Sequence, residues 1–229
     1  MPAFEGAVAL GYRYVETDAH VTADGICLAF HDDRLDRVTD RVGVIADLPY
    51  AEVRQARVDG REPIPLLEDL IAAFPDVRVN IDPKHDAAVD ALVTVIERTG
   101  AIDRVCVGSF SEGRLHRFRR IAGPAVATSA GPFGIAAGIV ASRLGFGPSP
   151  RGAVLQVPMR TRFAGRMVEV VTPAFIQRAH EWGKQVHVWT IDDEAMMNQL
   201  IDWGVDGLVS DRIDLLKKVC QVRGLWPSS

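Results

Sequence analysis

Short apolar runs alternate along the chain with longer stretches in which apolar positions recur every three or four residues. The runs at 12–17, 26–31, 77–81, 104–109, 125–129, 153–157, 186–191 and 207–210 predict strands. Between most of them, the stretches 65–74, 87–99, 111–121, 173–182 and 193–203 predict helices. Helix starts are marked by Ser111 before Glu112, Thr172 before Pro173, and Asp192 before Asp193 and Glu194. Strand–helix alternation implies a parallel sheet with helical crossovers. This many repeats in one chain favours an α/β fold of the closed (β/α)8 TIM-barrel type over an open doubly wound sheet.

One pair of strands departs from the alternation. Only Val21-Thr22-Ala23-Asp24-Gly25 separates the first two, too little for a crossover helix, and Asp24-Gly25 is a tight-turn signal. An antiparallel hairpin is predicted. With Asp24-Gly25 at its centre, His31 falls opposite Asp18; with Ala23-Asp24 at its centre, opposite Glu16. Either register sets an imidazole beside a carboxylate. Further on, residues 133–144 read as a buried or partly exposed helix and 145–152 as a flexible Pro/Gly loop.

Composition narrows the class. The 229 residues, 48% of them hydrophobic, suit one large domain over 1–229. The net charge is −4, with basic and acidic residues interleaved, so no basic stripe for nucleic acid is expected. No apolar run is long enough to span a membrane. Cys27, Cys106 and Cys220 are widely spaced and read as buried free thiols rather than disulfide or metal partners. They fit a reducing compartment, and no signal-peptide pattern is visible, so a cytoplasmic location is expected.

The candidate chemistry starts at Glu16-Thr17-Asp18. Residues two apart on a strand share a face, so both carboxylates project together. At ~4 Å and an effective dielectric near 20, two such charges repel by about 4 kcal/mol. They must take up a proton, a basic partner or a cation, unless they form a solvated surface pair. The strand at 77–81 runs into Asp82 and Lys84, which again alternate onto one face, at the rim where barrel enzymes place their catalytic groups. A third carboxylate converging on Glu16 and Asp18 makes an all-oxygen set suited to Mg²⁺ or Ca²⁺, with Lys84 available to a phosphate oxygen. The structural alternative is an Asp82–Lys84 ion pair and nothing more.

At this point the chain resembles the glycerophosphodiester phosphodiesterases. The hairpin GYRYVETDAHVTADGICLAFHDDRLDRVTD is similar to that family's signature. There, a strand ending in Glu-x-Asp and a tight turn lead to a second strand ending in His-Asp. Further matches follow in order: Ile64 to Glu68, NIDPK, Val107 to Phe110, Val186 to Thr190 and Gly204 to Arg212. The resemblance covers essentially the whole chain. It implies a divalent metal, Mg²⁺ or Ca²⁺, held by Glu16, Asp18 and Asp82, the last where the family more often has Glu. It also implies Lys84 at the phosphate, His31 as one of two acid/base histidines, and Phe110 and Trp189 lining a pocket for the alcohol. Family members open with a strand ending in His-Arg-Gly, then Pro-Glu-Asn-Thr. Met1-Pro2-Ala3-Phe4-Glu5 matches the helix just after that. The first strand, the second histidine and an arginine for phosphate are thus expected to be missing; the chain as written is expected to be inactive or unstable, and a version extended upstream of Met1 active.

The implied reaction is metal-dependent hydrolysis of small glycerophosphodiesters to glycerol 3-phosphate and an alcohol. Two other readings compete: a non-catalytic remnant that binds metal or phosphodiester, and a lysophospholipase D-like enzyme with residues 133–144 bordering an acyl groove. The remaining histidines carry smaller expectations. His187 is a pocket or core residue, His116 and His180 are surface residues, and His85 neighbours the site.

Overall fold

The computed structural model describes residues 1–163 and 165–226. They form two compact units, residues 1–128 and the residues from Ser129 onward. Each of the eight predicted strands is present in both type and place.

The first unit opens with α1 (Pro2–Ala9), the helix expected at the start, and the hairpin β1 (Tyr14–Val21) and β2 (Cys27–Ala29). An excursion follows, with α2 (Tyr50–Val53) and a small antiparallel pair, β3 (Arg57–Val58) and β4 (Glu62–Pro63). Then come α3 (Leu67–Ala73), β5 (Arg78–Pro83), α4 (Asp86–Thr99), β6 (Val105–Val107), α5 (Glu112–Ala122) and β7 (Ala127–Thr128). The sheet order is β2-β1-β5-β6-β7, parallel except for β2.

The reason for these elements lies in their buried faces. On α4, Val89, Leu92, Val93 and Ile96 recur at helical spacing and join Val79 and Ile81 of β5 in one core. Each such fully buried aliphatic side chain contributes about 1.5–3 kcal/mol. Gly100, left-handed at φ 63°, ends the helix. Ser111 caps α5 as expected, accepting from Arg114 N. Arg104 closes the end of α3 by donating to the carbonyls of Ile71, Phe74 and Val77. A second core under the excursion gathers Leu28, Leu35, Ile45, Val53, Ala56 and Ile64. It fixes the loop that leaves β2, and with it several pocket residues.

The hairpin exists, but both expected registers are off by one. Its partners are Ala19↔Ala29, His20↔Leu28 and Val21↔Cys27. The cause is a three-residue loop, Ala23-Asp24-Gly25, closed by Thr22 N donating to Ile26 O at 3.0 Å, with Gly25 at φ 85°. Pairing continues one step further, where Phe30 N donates to Asp18 O. His31 therefore follows the residue opposite Asp18.

The second unit contains α6 (Pro132–Leu144), β8 (Val154–Pro158), the hairpin β9 (Arg160–Phe163) and β10 (Arg166–Glu169), and α7 (Pro173–Glu181). It ends with β11 (Gln185–Trp189), α8 (Glu194–Trp203), β12 (Gly207–Leu208) and α9 (Ile213–Val222). Its parallel sheet runs β12-β11-β8. Thr172 caps α7 as expected. The cap of α8 is Asp193, accepting from Met196 N, rather than Asp192. Asp192 instead accepts from Ser210 Oγ and from the amides of Asp211 and Arg212.

The segment expected to be flexible ends in a tight fit. Gly152 has φ +107°, and a Cβ there would lie 2.6 Å from the carbonyl of Ser129 and 2.7 Å from Ala130 N. Both obstacles are backbone. Gly152→Ala is expected to cost about 1–3 kcal/mol, read as a lowered midpoint in urea denaturation. An unchanged midpoint would mean that the close approach is not made.

Candidate active site

Two adjacent parallel strands build the centre of the site. Glu16 pairs in register with Asn80, and Asp18 with Asp82, so the two aspartates emerge side by side as the strands end. The period of two that puts Glu16 and Asp18 on one face does the same for Asn80 and Asp82. Lys84 follows the strand; its amide donates to Ala19 O at 3.1 Å, turning its side chain back over the pair. Its Nζ lies 2.9 Å from Asp18 Oδ1 and 3.1 Å from Asp82 Oδ2. Burial opposes the charge on Lys84, but the two carboxylates outweigh it and raise its pKa. Burial raises the pKa of Asp82, with Lys84 opposing. Glu16 is exposed at its position on β1, but the protein around its carboxyl, and then the charge of Asp18, push it up to about 7.

His31 joins from the far side of β2. Its Nε2 stands 3.9 Å from Asp18 Oδ2, and its Nδ1 is 2.6 Å from Asp32 Oδ1. Arg37 clamps the same carboxylate, donating from Nε to Oδ2 at 2.6 Å and from Nη2 to Oδ1 at 2.7 Å. These bonds, Arg37 first and His31 second, hold Asp32 well below the usual carboxylate range. Asp32 is therefore a permanent anion behind the imidazole, and a carboxylate there orients the ring and fixes its tautomer. The His31 side chain is 81% exposed, so Nε2 faces open space. Beneath it, buried His20 brings Nε2 to 3.2 Å from His31 O, with burial lowering its pKa. His85 accepts from Val21 N, a structural role that joins β1 to the turn after β5.

A pocket of about 410 Å³ opens here, lined in part by His20, His31, Asp32, Arg34, Arg37 and Lys84. Arg34, Arg37 and Lys84 are matched on the same wall by Asp32, Asp33 and Asp36, and Arg34 and Arg37 are already paired to Asp36 and Asp32, so the lining carries no excess of positive charge. Asp18, Asp82, Lys84 and His31 are thus brought together as expected from sequence, while Glu16 stands two residues back on the same face of β1, opposite Asn80. Phe110 is largely exposed and is not among the residues lining this pocket. Trp189 ends β11 in the second unit, where it is half-buried. Asp32, Arg34 and Arg37 escaped the sequence reasoning, although they stand in the stretch His31-Asp32-Asp33-Arg34-Leu35-Asp36-Arg37.

The donors have the chemistry of a hard-cation site. Glu16, Asp18 and Asp82 offer only oxygen, and Asp82 Oδ1 is buried with no hydrogen-bond partner among the described residues. Among the described residues, no group of three or more His, Cys, Asp and Glu is already arranged to hold a metal ion. Lys84 bridges the aspartates instead. The residues fit a divalent ion in kind, and the orphaned oxygen is the specific reason.

Comparison with known proteins decides the family. The model of the glycerophosphoryl diester phosphodiesterase family matches residues 1–124 and 152–215. The chain belongs to this family. A relative from Mycobacterium tuberculosis, named Probable glycerophosphodiester phosphodiesterase 2, is 42% identical over 229 residues, covering 99% of this chain and 86% of its own. The glycerophosphoryl diester phosphodiesterase domain of another M. tuberculosis protein superposes with TM-score 0.81 at 20% identity, covering 97% of this chain and 92% of its own. An Oleispira antarctica phosphodiesterase, solved with the product sn-glycerol-3-phosphate, gives TM-score 0.74 at 23% identity, covering 96% and 90%. The fold class is accordingly that of the (β/α)8 barrel enzymes of this family.

Proposed function

We propose that this family member hydrolyses glycerophosphodiesters to sn-glycerol 3-phosphate and an alcohol, using a divalent cation held by Glu16, Asp18 and Asp82. The observation that carries the reading is Lys84 bridging Asp18 and Asp82 within reach of a carboxylate-backed imidazole. Phosphodiester hydrolysis demands that set: charge to neutralise the phosphoryl oxygens, and a group that moves a proton.

In the proposed reaction the phosphate lies in the pocket lined by His31 and Lys84, with Lys84 offsetting its charge. A bond forms from phosphorus to the incoming oxygen, and the bond to the alcohol oxygen breaks. His31 Nε2 holds or delivers the proton at one of those two oxygens, while Asp32 and Arg37 keep Nδ1 occupied. When bound, the cation lowers the pKa of a coordinated oxygen and screens phosphate charge.

The test is hydrolysis of glycerophosphocholine and glycerophosphoethanolamine by the chain as given and by a version with an upstream His-Arg-Gly strand added, with glycerol 3-phosphate measured enzymatically, before and after stripping the active form with EDTA. Turnover is expected to vanish on stripping and return with Mg²⁺ or Ca²⁺. Full activity after stripping would remove the cation from the reading. Preferential cleavage of a lysophospholipid would move the substrate to the lipid class. Cation binding without turnover of any diester would leave a binding protein.

A further inference from the structure

The charge interleaving read along the chain fails over one stretch. Between Glu112 and Glu169 there is no Asp or Glu, but there are nine arginines. In the second unit, this stretch contains α6 and the hairpin of β9 and β10, with Arg143, Arg151, Arg160, Arg162 and Arg166 all exposed. The family match skips residues 125–151, the span that contains α6.

The orientation of α6 is fixed from two sides. A Cβ at Gly138 would meet the Phe175 ring at 3.3 Å and Trp182 at 3.8 Å, so this helix face packs against α7 and the residue that ends it. The loop after the helix folds back along it. A Cβ at Gly134 would come within 2.9 Å of Pro150, and one at Gly147 within 2.6 Å of Ala141 Cβ. What remains outward is Phe133, Ala137, Val140 and Leu144, spaced four, three and four, hence one continuous stripe. Phe133 is 77% exposed, Val140 54% and Leu144 59%, and Phe146 just beyond is 70% exposed. Four large apolar groups in one short segment are more than scattered surface residues require.

We propose that this face of α6 docks on an anionic phospholipid surface. The helix has 13 residues, too few to cross a bilayer, and no described helix is long and apolar enough to do so. It is suited to lying in the headgroup region with its apolar stripe inserted. The charge pattern selects the lipid. Arg143 on the helix and Arg151 beyond the loop attract anionic headgroups, and no carboxylate from Ser129 to Val168 repels them.

The test is co-sedimentation of the full chain with phosphatidylcholine vesicles, with and without roughly 30% phosphatidylglycerol. Binding to the anionic vesicles is expected, weak or absent on pure phosphatidylcholine, and falling as salt rises. Val140→Glu with Leu144→Glu replaces two exposed groups, and is expected to reduce partitioning about tenfold or more with an unchanged circular dichroism spectrum. Should that pair disturb folding, Arg143→Glu alone tests the charge half of the proposal. No binding of the parent chain, or equal binding of a folded variant, overturns the proposal. A dimer in multi-angle light scattering that the Glu variant splits into monomers overturns it too, since the stripe then seats a second copy.

Discussion

Replacing Lys84 with Met is expected to destabilise the first unit and nearly abolish turnover. The stability loss should be roughly 2–4 kcal/mol, somewhat under the 3–5 kcal/mol typical of a fully buried pair, because Lys84 retains some contact with water. Asp18 and Asp82 are well buried, share one register position and have this ammonium between them. Methionine keeps the stem and removes only the charge, so two adjacent carboxylates are left to face each other. The pH dependence follows from that. Burial already raises the pKa of Asp82, and Lys84 opposes the rise. Without the ammonium, the folded state binds protons more tightly than the unfolded chain does, so stability falls as pH rises. The Met variant should therefore lose most against the parent at alkaline pH and least under mildly acidic conditions. A divalent cation that binds only the folded form should restore part of the loss by mass action. Turnover should drop about 10²–10³-fold, as when one charge-stabilising donor is removed from a transition state. Urea denaturation at two pH values, with and without Mg²⁺, checks the first part and a steady-state assay the second. A variant as stable as the parent at every pH would show that the aspartates do not depend on Lys84.

Much of this site was legible because strand geometry is periodic. Glu16 with Asp18, and Asp82 with Lys84, could be paired on one face from sequence spacing alone, and the two strands align them as neighbours. Helix starts were legible for the same kind of reason, since Ser111 and Thr172 satisfy amides only three residues away. What could not be read depends on longer-range packing. The hairpin register turned on whether Gly25 joins a two- or a three-residue loop, a choice fixed by Thr22 bonding to Ile26 and by Asp24 accepting from Tyr50 N. The clamp of Arg37 on Asp32 lies in an irregular excursion that the Leu35 and Ile45 core holds in place. No period announces such a pair. The polar hairpin of β9 and β10, with arginines at three positions, lacks the apolar alternation that marks a strand. Residues 133–144 did read as a helix, but which face stayed bare depended on Gly138 meeting Phe175.

Substituting His31 by Gln should lower kcat by about 10²–10⁴ while leaving KM and stability nearly unchanged. The ring is exposed and contributes little to packing, and Gln retains length and hydrogen-bonding capacity but moves no proton in this role. Asp32→Asn then separates the acid from the base. In the parent, Asp32 accepts from Nδ1, which leaves Nε2 free to take up a proton and pass it on. Arg37 presents two donors to the same group. In the Asn variant the amide oxygen at the Oδ1 position still accepts from Arg37 Nη2 and His31 Nδ1, so the tautomer is kept and only the negative charge behind the ring is lost. Without that anion the imidazolium is stabilised less, so the ring takes up a proton less readily and gives one up more readily. If His31 serves as the base, Asp32→Asn should lower kcat clearly, part of the way toward His31→Gln. If His31 protonates the leaving oxygen, the Asn variant should fall well short of that loss, and least of all with substrates whose alcohol is a good leaving group. Comparison of the two variants on a choline ester and on a nitrophenyl ester of glycerophosphate reads this directly. Wild-type kcat in His31→Gln on both substrates would mean that the imidazole, for all its backing by Asp32 and Arg37, transfers no proton in the reaction.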